Sequence, residues 1–268
     1  MRPSPLAFAA LFPVFASVLC ALGCDDPKAS KTATTATASA KPVPTVVPST
    51  PSTAAAATAS APVKRDFTCP AGDAVTFNMA QLEADVRKKT GKDAGPITKA
   101  DLAKVKSINI TQGNVDYLDP CVFPFLTGVK DIFLGPGELD DLKMLEPLTQ
   151  VVSLRASINK VKDIKPLARM THMDRLDLGR TLVSDITPLA SMPDLEEVAL
   201  DDTLVEDLTP LSKATKLKRL SIRNTRVKDL RPLLNLRNLK VLSIQGAPVS
   251  DTNILAPLRA SGLKIETG

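Results

Sequence analysis

Between Val151 and Asn238 the sequence repeats itself four times at a fixed length of 22 residues, with blocks beginning at Val151, Met173, Leu195 and Leu217. A fixed period of this length marks a solenoid of stacked coils. In every block apolar residues fall at positions 1, 4, 6, 11, 14, 17 and 20. In the second block they are Met173, Leu176, Leu178, Val183, Ile186, Leu189 and Met192. One coil cannot bury that stripe alone. Neighbours stacked in register can, and their stripes join into one continuous core.

The polar positions repeat as well. Positions 3 to 5 predict a short strand, parallel to its counterparts in adjacent coils. Position 9 holds Asn159, Thr181, Thr203 and Thr225, small polar side chains able to bond the backbone as it leaves the strand. Position 13 is Asp in six coils: Asp141, Asp163, Asp185, Asp207, Asp229 and Asp251. Each can accept backbone N–H groups of the next turn. Pro follows at Pro166, Pro188, Pro210 and Pro232, which keeps that turn short and of 3₁₀ character. A column of carboxylates also suits calcium, but a residue that caps backbone donors already has a role, so no metal is expected.

The pattern L-x-x-L-x-L-x-x-T-x-V-x-D-L-x-P-L, clearest over Leu217–Leu233, resembles the 22-residue leucine-rich repeat of internalins. The resemblance runs from about Val105 to the C-terminus. It implies an α/β solenoid: a right-handed coil with short parallel strands on a concave face, 3₁₀ or short helical turns on the convex side, and a helical N-terminal cap. It implies function only as a class, since such arrays bind other macromolecules and rarely catalyse.

Coil starts at 105, 129, 151, 173, 195, 217, 239 and 263 predict eight strands, a sheet about 34 Å long at ~4.8 Å per step. The coil from Val105 is irregular, and the coil from Leu239 lengthens, with Asn253–Ser261 helical, Gly262 as its stop and Leu263–Ile265 as the closing strand. Residues 105–268 form the array. Residues 66–104 read as its helical cap. There Asn78 opens a helix in capping-box fashion, Met79, Leu82 and Val86 line one face, and Gly91 ends it. A second short helix starts at Thr98, with Asp101 three residues on and an Ile97–Leu102 staple.

Ahead of the cap, residues 1–23 read as an export leader, with Arg2 before the apolar stretch Leu6–Leu22. The sequence Ala21-Leu22-Gly23-Cys24 resembles a bacterial lipobox, which implies lipidation of Cys24. It departs from that pattern at Ala21, where Leu is usual, and an ordinary cleaved signal or an uncleaved anchor remain as alternatives. A lipidated Cys24 would hold the protein on a membrane surface in the cell envelope. Residues 24–65 are an Ala/Thr/Pro/Ser-rich segment without Leu, Ile or Phe, expected to be a disordered tether. Extended, it would reach up to roughly 130 Å. Of the remaining cysteines, Cys69 and Cys121 either pair in an oxidising envelope, pinning cap to array, or stay as two separate thiols.

Charge excludes one function class. Of the net +5, Arg2 supplies one and the tether three, leaving the rest of the chain nearly neutral. There is no basic nucleic-acid footprint, and aromatics are 3% with no Trp, so base-stacking platforms are missing too. Catalysis finds no support either. The one histidine, His172, sits at a coil junction, and nothing marks Ser153, Ser157 or Ser191 as its nucleophile. Gly135-Pro136-Gly137 lacks the following helix that a phosphate site needs. No catalytic residue and no cofactor are expected.

What remains is surface. In this family positions 2, 3, 5 and 7 point from the concave face. Arg175, Glu197 and Arg219 should then form a ladder of alternating charge at position 3. Glu196 beside Lys218, and Asp201 beside Arg223, would extend it. The ladder reads either as a recognition strip or as a solubilising surface. Phe133 is a large aromatic at a position where exposure is expected, with Arg155 beside it. Phe133, Arg155 and Asp177 are therefore the expected centre of a protein-binding patch. The alternative is that Phe133 packs under the irregular first coil. The favoured reading is an exported, monomeric, non-catalytic module for a protein ligand; a spacer or scaffold subunit of an envelope complex, or an enzyme with an unrecognised site, are the alternatives.

Overall fold

The computed structural model describes residues 67–268. The leader, Cys24 and the tether lie outside the described residues. Eight strands follow in chain order: β1 Ser107–Ile110, β2 Asp131–Leu134, β3 Ser153–Arg155, β4 Arg175–Asp177, β5 Glu197–Ala199, β6 Arg219–Ser221, β7 Val241–Ser243 and β8 Lys264–Glu266. They form one parallel sheet in sequential order. Leu154, Leu176, Val198, Leu220 and Leu242 are register partners across five strands. The same apolar position is thus buried against itself from coil to coil, each of these side chains being no more than 3% exposed. This is the right-handed leucine-rich-repeat solenoid that the period predicts.

The polar columns serve the backbone. Thr181, Thr203 and Thr225 are buried and donate their hydroxyls to the carbonyls of Leu178, Leu200 and Ile222, at 2.6–2.7 Å. Asn159 does more: its amide nitrogen bonds carbonyls of Gly135, Ala156 and Ser157, and its oxygen accepts Leu139 N–H. All six position-13 Asp residues accept the N–H two residues on, at 2.7–2.9 Å. The return path is 3₁₀, as at Lys165–Arg169, Thr187–Ser191 and Thr209–Lys213, each with Pro in its first turn.

At the N-terminal end, α1 (Ala80–Thr90) buries Leu82 and Val86 and ends at Gly91, whose φ is 67°. In α2 (Lys99–Leu102) Thr98 and Asp101 form the expected reciprocal capping box. The capping expected of Asn78 is not observed. Met79 occupies the N-cap position without a side-chain cap. Asn78 is held elsewhere: its N–H and amide nitrogen donate to the two carboxylate oxygens of Asp119, at 2.5 and 3.1 Å. Asp119 is fully buried and also accepts Cys121 N–H. A buried carboxylate needs every donor within reach, and that need outweighs a local cap. Two residues on from Asp119, Cys121 is disulfide-bonded to Cys69, with Cα atoms 5.3 Å apart. The covalent bond and the Asp119–Asn78 bonds therefore fasten cap and first coil side by side.

The last coil runs 3₁₀ at Asn253–Leu255 into α3 (Ala256–Ala260), with Gly262 at φ 96° just beyond. The closing strand lies one residue later than expected, at Lys264–Glu266, with Val241 opposite Lys264. Leu263 is instead buried beneath it, at 6% exposure.

One column carries strain. Position 8 is left-handed in five successive coils, at Ile158, Arg180, Asp202, Asn224 and Gly246, with φ between 53° and 73°. The chain must turn out of the strand there while its N–H still bonds the next coil, as from Ile158 to Gly179 O. Gly, Asn and Asp tolerate that geometry; a β-branched side chain does not. Ile158 is also 46% exposed, so burial offsets little. Ile158→Asn is expected to raise stability by about 1 kcal/mol, read as a higher urea midpoint at unchanged slope.

Candidate functional site

The open face of the sheet carries a groove of about 750 Å³. Its lining includes Phe133, Arg155, Arg175, Asp177, Glu197, Arg219 and Arg223, while Glu196, Lys218 and Asp201 stand outside it. Strand alternation puts positions 3 and 5 on this face while position 4 goes to the core. Phe133, Arg155 and Asp177 are consecutive register partners on β2, β3 and β4. Phe133 is half-buried and still faces the groove. Arg155 Nε lies 3.1 Å from Asp177 Oδ2, and Asp177 also accepts Gly179 N–H.

Arg175, Glu197 and Arg219 are likewise register partners, so the alternating column exists. Its internal contacts are loose. Arg219 Nε reaches Glu197 Oε1 only at 4.0 Å, and among the described residues the Arg175 guanidinium makes no hydrogen bond or ion pair. The flanking pairs are tighter: Lys218–Glu196 and Arg223–Asp201, both at 2.7 Å. Asp201 also accepts the Ser221 hydroxyl at 2.5 Å and Arg223 N–H at 2.8 Å. Burial pushes its carboxyl up, and the bonds from Arg223 and Ser221 outweigh that and hold it below the usual range.

Three features escaped the sequence reading. The groove floor over β5 to β7 is built of the small residues Ala199, Ser221 and Ser243. The position-5 column contained that signal. Glu266 closes the far end, accepting the Ser243 hydroxyl at 2.8 Å, but the shifted last strand took it out of frame. The third is Asp174, at position 2. Its Oδ1 is buried without a hydrogen-bond partner. Burial, reinforced by Glu196, Asp131 and Glu197, raises its pKa against the pull of Arg175.

Other candidates bring no chemistry together. His172 is largely exposed, 3.7 Å from Asp194, while Ser191 donates its hydroxyl to the carbonyls of Ala168 and Pro188. Among the described residues no cluster of three or more His, Cys, Asp or Glu side chains could hold a metal. Gly135 and Gly137 serve packing: a Cβ on Gly137 would come within 2.3 Å of Val115 O.

No protein-family model and no curated protein sequence matches this chain. Solved structures do resemble it. An internalin (inlF) from Listeria monocytogenes superposes with a TM-score of 0.64 at 27% identity, over 70% of this chain and 55% of that one. Internalin C2 of the same organism gives 0.63 at 27% identity, over 70% of this chain and 93% of that one. The array is an internalin-type leucine-rich repeat. A leucine-rich repeat protein of Leptospira interrogans shares the fold at a TM-score of 0.51 and 17% identity, over 63% of this chain and 51% of that one. The chain thus spans only about half the length of two of these three structures.

Asp174 gives the groove rim a measurable pH signature. Its folded pKa is raised, so the fold penalises the ionised form. That penalty is absent below the unfolded value of about 3.9 and develops as pH rises through the folded value. Asp174→Asn is expected to be more stable than the parent at pH 7, with the difference vanishing near pH 3. Paired thermal melts across that range read it directly.

Proposed function

We propose that the protein is an exported, monomeric, non-catalytic binding module that receives a protein partner on the open face of its sheet, centred on Phe133, Arg155 and Asp177. The observation that carries this reading is the half-buried Phe133 aligned in register with the Arg155–Asp177 pair inside the groove. An aromatic and an arginine side by side on a preformed surface are the residues that dominate binding energies elsewhere. The near-neutral array and the shortage of aromatics argue against nucleic acid.

Export and anchoring are supported by sequence and by the disulfide. The leader, the lipobox-like Ala21–Cys24 and the long polar tether fit a lipoprotein held at a membrane surface. The Cys69–Cys121 bond fits an oxidising compartment. Cys24→Ser is expected to move the protein from the membrane fraction to the soluble fraction on cell fractionation. An unchanged distribution would remove the lipid anchor.

Binding is tested by crosslinking in intact cells, followed by detergent extraction and affinity capture. A partner captured by the parent should be recovered at least tenfold less by Phe133→Ala with Arg155→Ala, about the loss expected for a hot-spot pair. Equal recovery means the patch is elsewhere. Recovery of a stoichiometric envelope complex, insensitive to the pair, would instead favour a scaffold.

A further inference from the structure

Resting on the reading of the open face as a protein-binding surface, we propose that the column Arg175–Glu197–Arg219 recognises a helix of the partner that presents acidic, basic and acidic side chains at i, i+4 and i+7. Three observations converge on it. The first is which groups are already engaged. Asp177, Asp201 and Glu266 are each bonded within the groove. By contrast the exposed Arg175 guanidinium has no hydrogen bond or ion pair among the described residues, acting on Asp174 only at a distance, and Glu197 and Arg219 meet only at 4.0 Å. The charges left unbonded or only loosely matched therefore read plus, minus, plus along one line.

The second is spacing. The three residues are register partners on β4, β5 and β6, so they recur at ~4.8 Å and span ~10 Å. A helix rises ~1.5 Å per residue, so i to i+7 covers ~10.5 Å on one face, with i+4 between them. An extended strand presents i, i+2 and i+4 on one face, but at ~6.8 Å intervals, ~13.5 Å in all, which overshoots the column. The third is room. Beside the column the floor is Ala199, Ser221 and Ser243, whose short side chains leave the groove open where a cylinder would rest. The two hydroxyls are turned aside, bonded to Asp201 and Glu266.

The test uses the full mature chain and two fluorescein-labelled, alanine-rich helical peptides, followed by anisotropy at low salt. One peptide carries Glu-Lys-Glu at i, i+4 and i+7; the other carries Lys-Glu-Lys. The parent should bind the first at least tenfold more tightly. The variant Arg175→Glu/Glu197→Arg/Arg219→Glu should prefer the second, a gain of binding that misfolding cannot imitate. Equal affinity for both peptides, binding of neither up to millimolar concentration, or a preference that survives the reversal overturns the proposal. Should that happen while Phe133→Ala with Arg155→Ala still abolishes partner capture, only the helix reading falls and the wider surface stands.

Discussion

The structure depends on one constraint: each coil must bring its position 4 directly beside position 4 of the next. Parallel pairing enforces it, as Leu176, Val198 and Leu220 in adjacent strands demonstrate. A slip of one residue would turn the whole apolar set toward solvent. Because the core is inherited from coil to coil, so is everything opposite it. The face that carries Phe133, Arg155 and Arg175 is ordered by the burial of Ile132, Leu154 and Leu176 behind it. A binding surface built this way needs no loop to shape it.

The same periodicity governs the backbone's polar groups. A coil of 22 residues turns several times, and each turn strands N–H or C=O groups away from water. The position-9 hydroxyl engages a carbonyl behind it, and the position-13 carboxylate engages an N–H ahead of it. Two side chains thus settle the ends of the strand's exit and the start of the return path. The four regular coils accordingly keep Asn or Thr at position 9, while Gly137 and Ala247 stand there in the coils on either side. Calcium would have to compete with backbone donors for each carboxylate, one coil apart from the next.

The fold was legible because its determinants are local and repeated. Strand positions, the Asp column, the 3₁₀ returns and the Thr98 cap could all be read from spacing. What could not be read depends on distant partners. Asn78 looks like a cap until Asp119, 41 residues away, is known to hold it. The closing strand shifted because its coil leaves the period. Asp174 looks like one more surface carboxylate, and it takes the folded chain to bury it and to set Glu196, Asp131 and Glu197 around it, which makes it costly to ionise. At position 8, Asp202, Asn224 and Gly246 hinted at a left-handed turn, but Ile158 and Arg180 hid it. For the site, the nominated residues did converge on one groove, while its small-residue floor stood in the position-5 column without being seen as a cavity.

Charge along the array has a second role that bears on how the site is judged. The coil beginning at Leu195 is acidic and the next is basic, and they meet in a seam of pairs. Lys218 meets Glu196 and Arg223 meets Asp201 at 2.7 Å, and Arg226 meets Glu206 at 3.6 Å. Each exposed pair contributes at most about 1 kcal/mol. Their collective value lies in discrimination, because coils this similar could otherwise stack out of order, and mismatched charge disfavours that. A close pair across a seam, such as Lys218–Glu196, is therefore explained without a ligand, whereas Glu197 and Arg219 on the same seam meet only at 4.0 Å and are not matched in that way. Arg175 stands outside that explanation: the coil before it offers Ser153 at the same position, and the coil after it offers a Glu197 that it does not reach. Among the described residues its guanidinium pulls against the raised pKa of Asp174 at a distance but bonds no carboxylate, so the order of the coils does not account for it and its donors stay open on the groove.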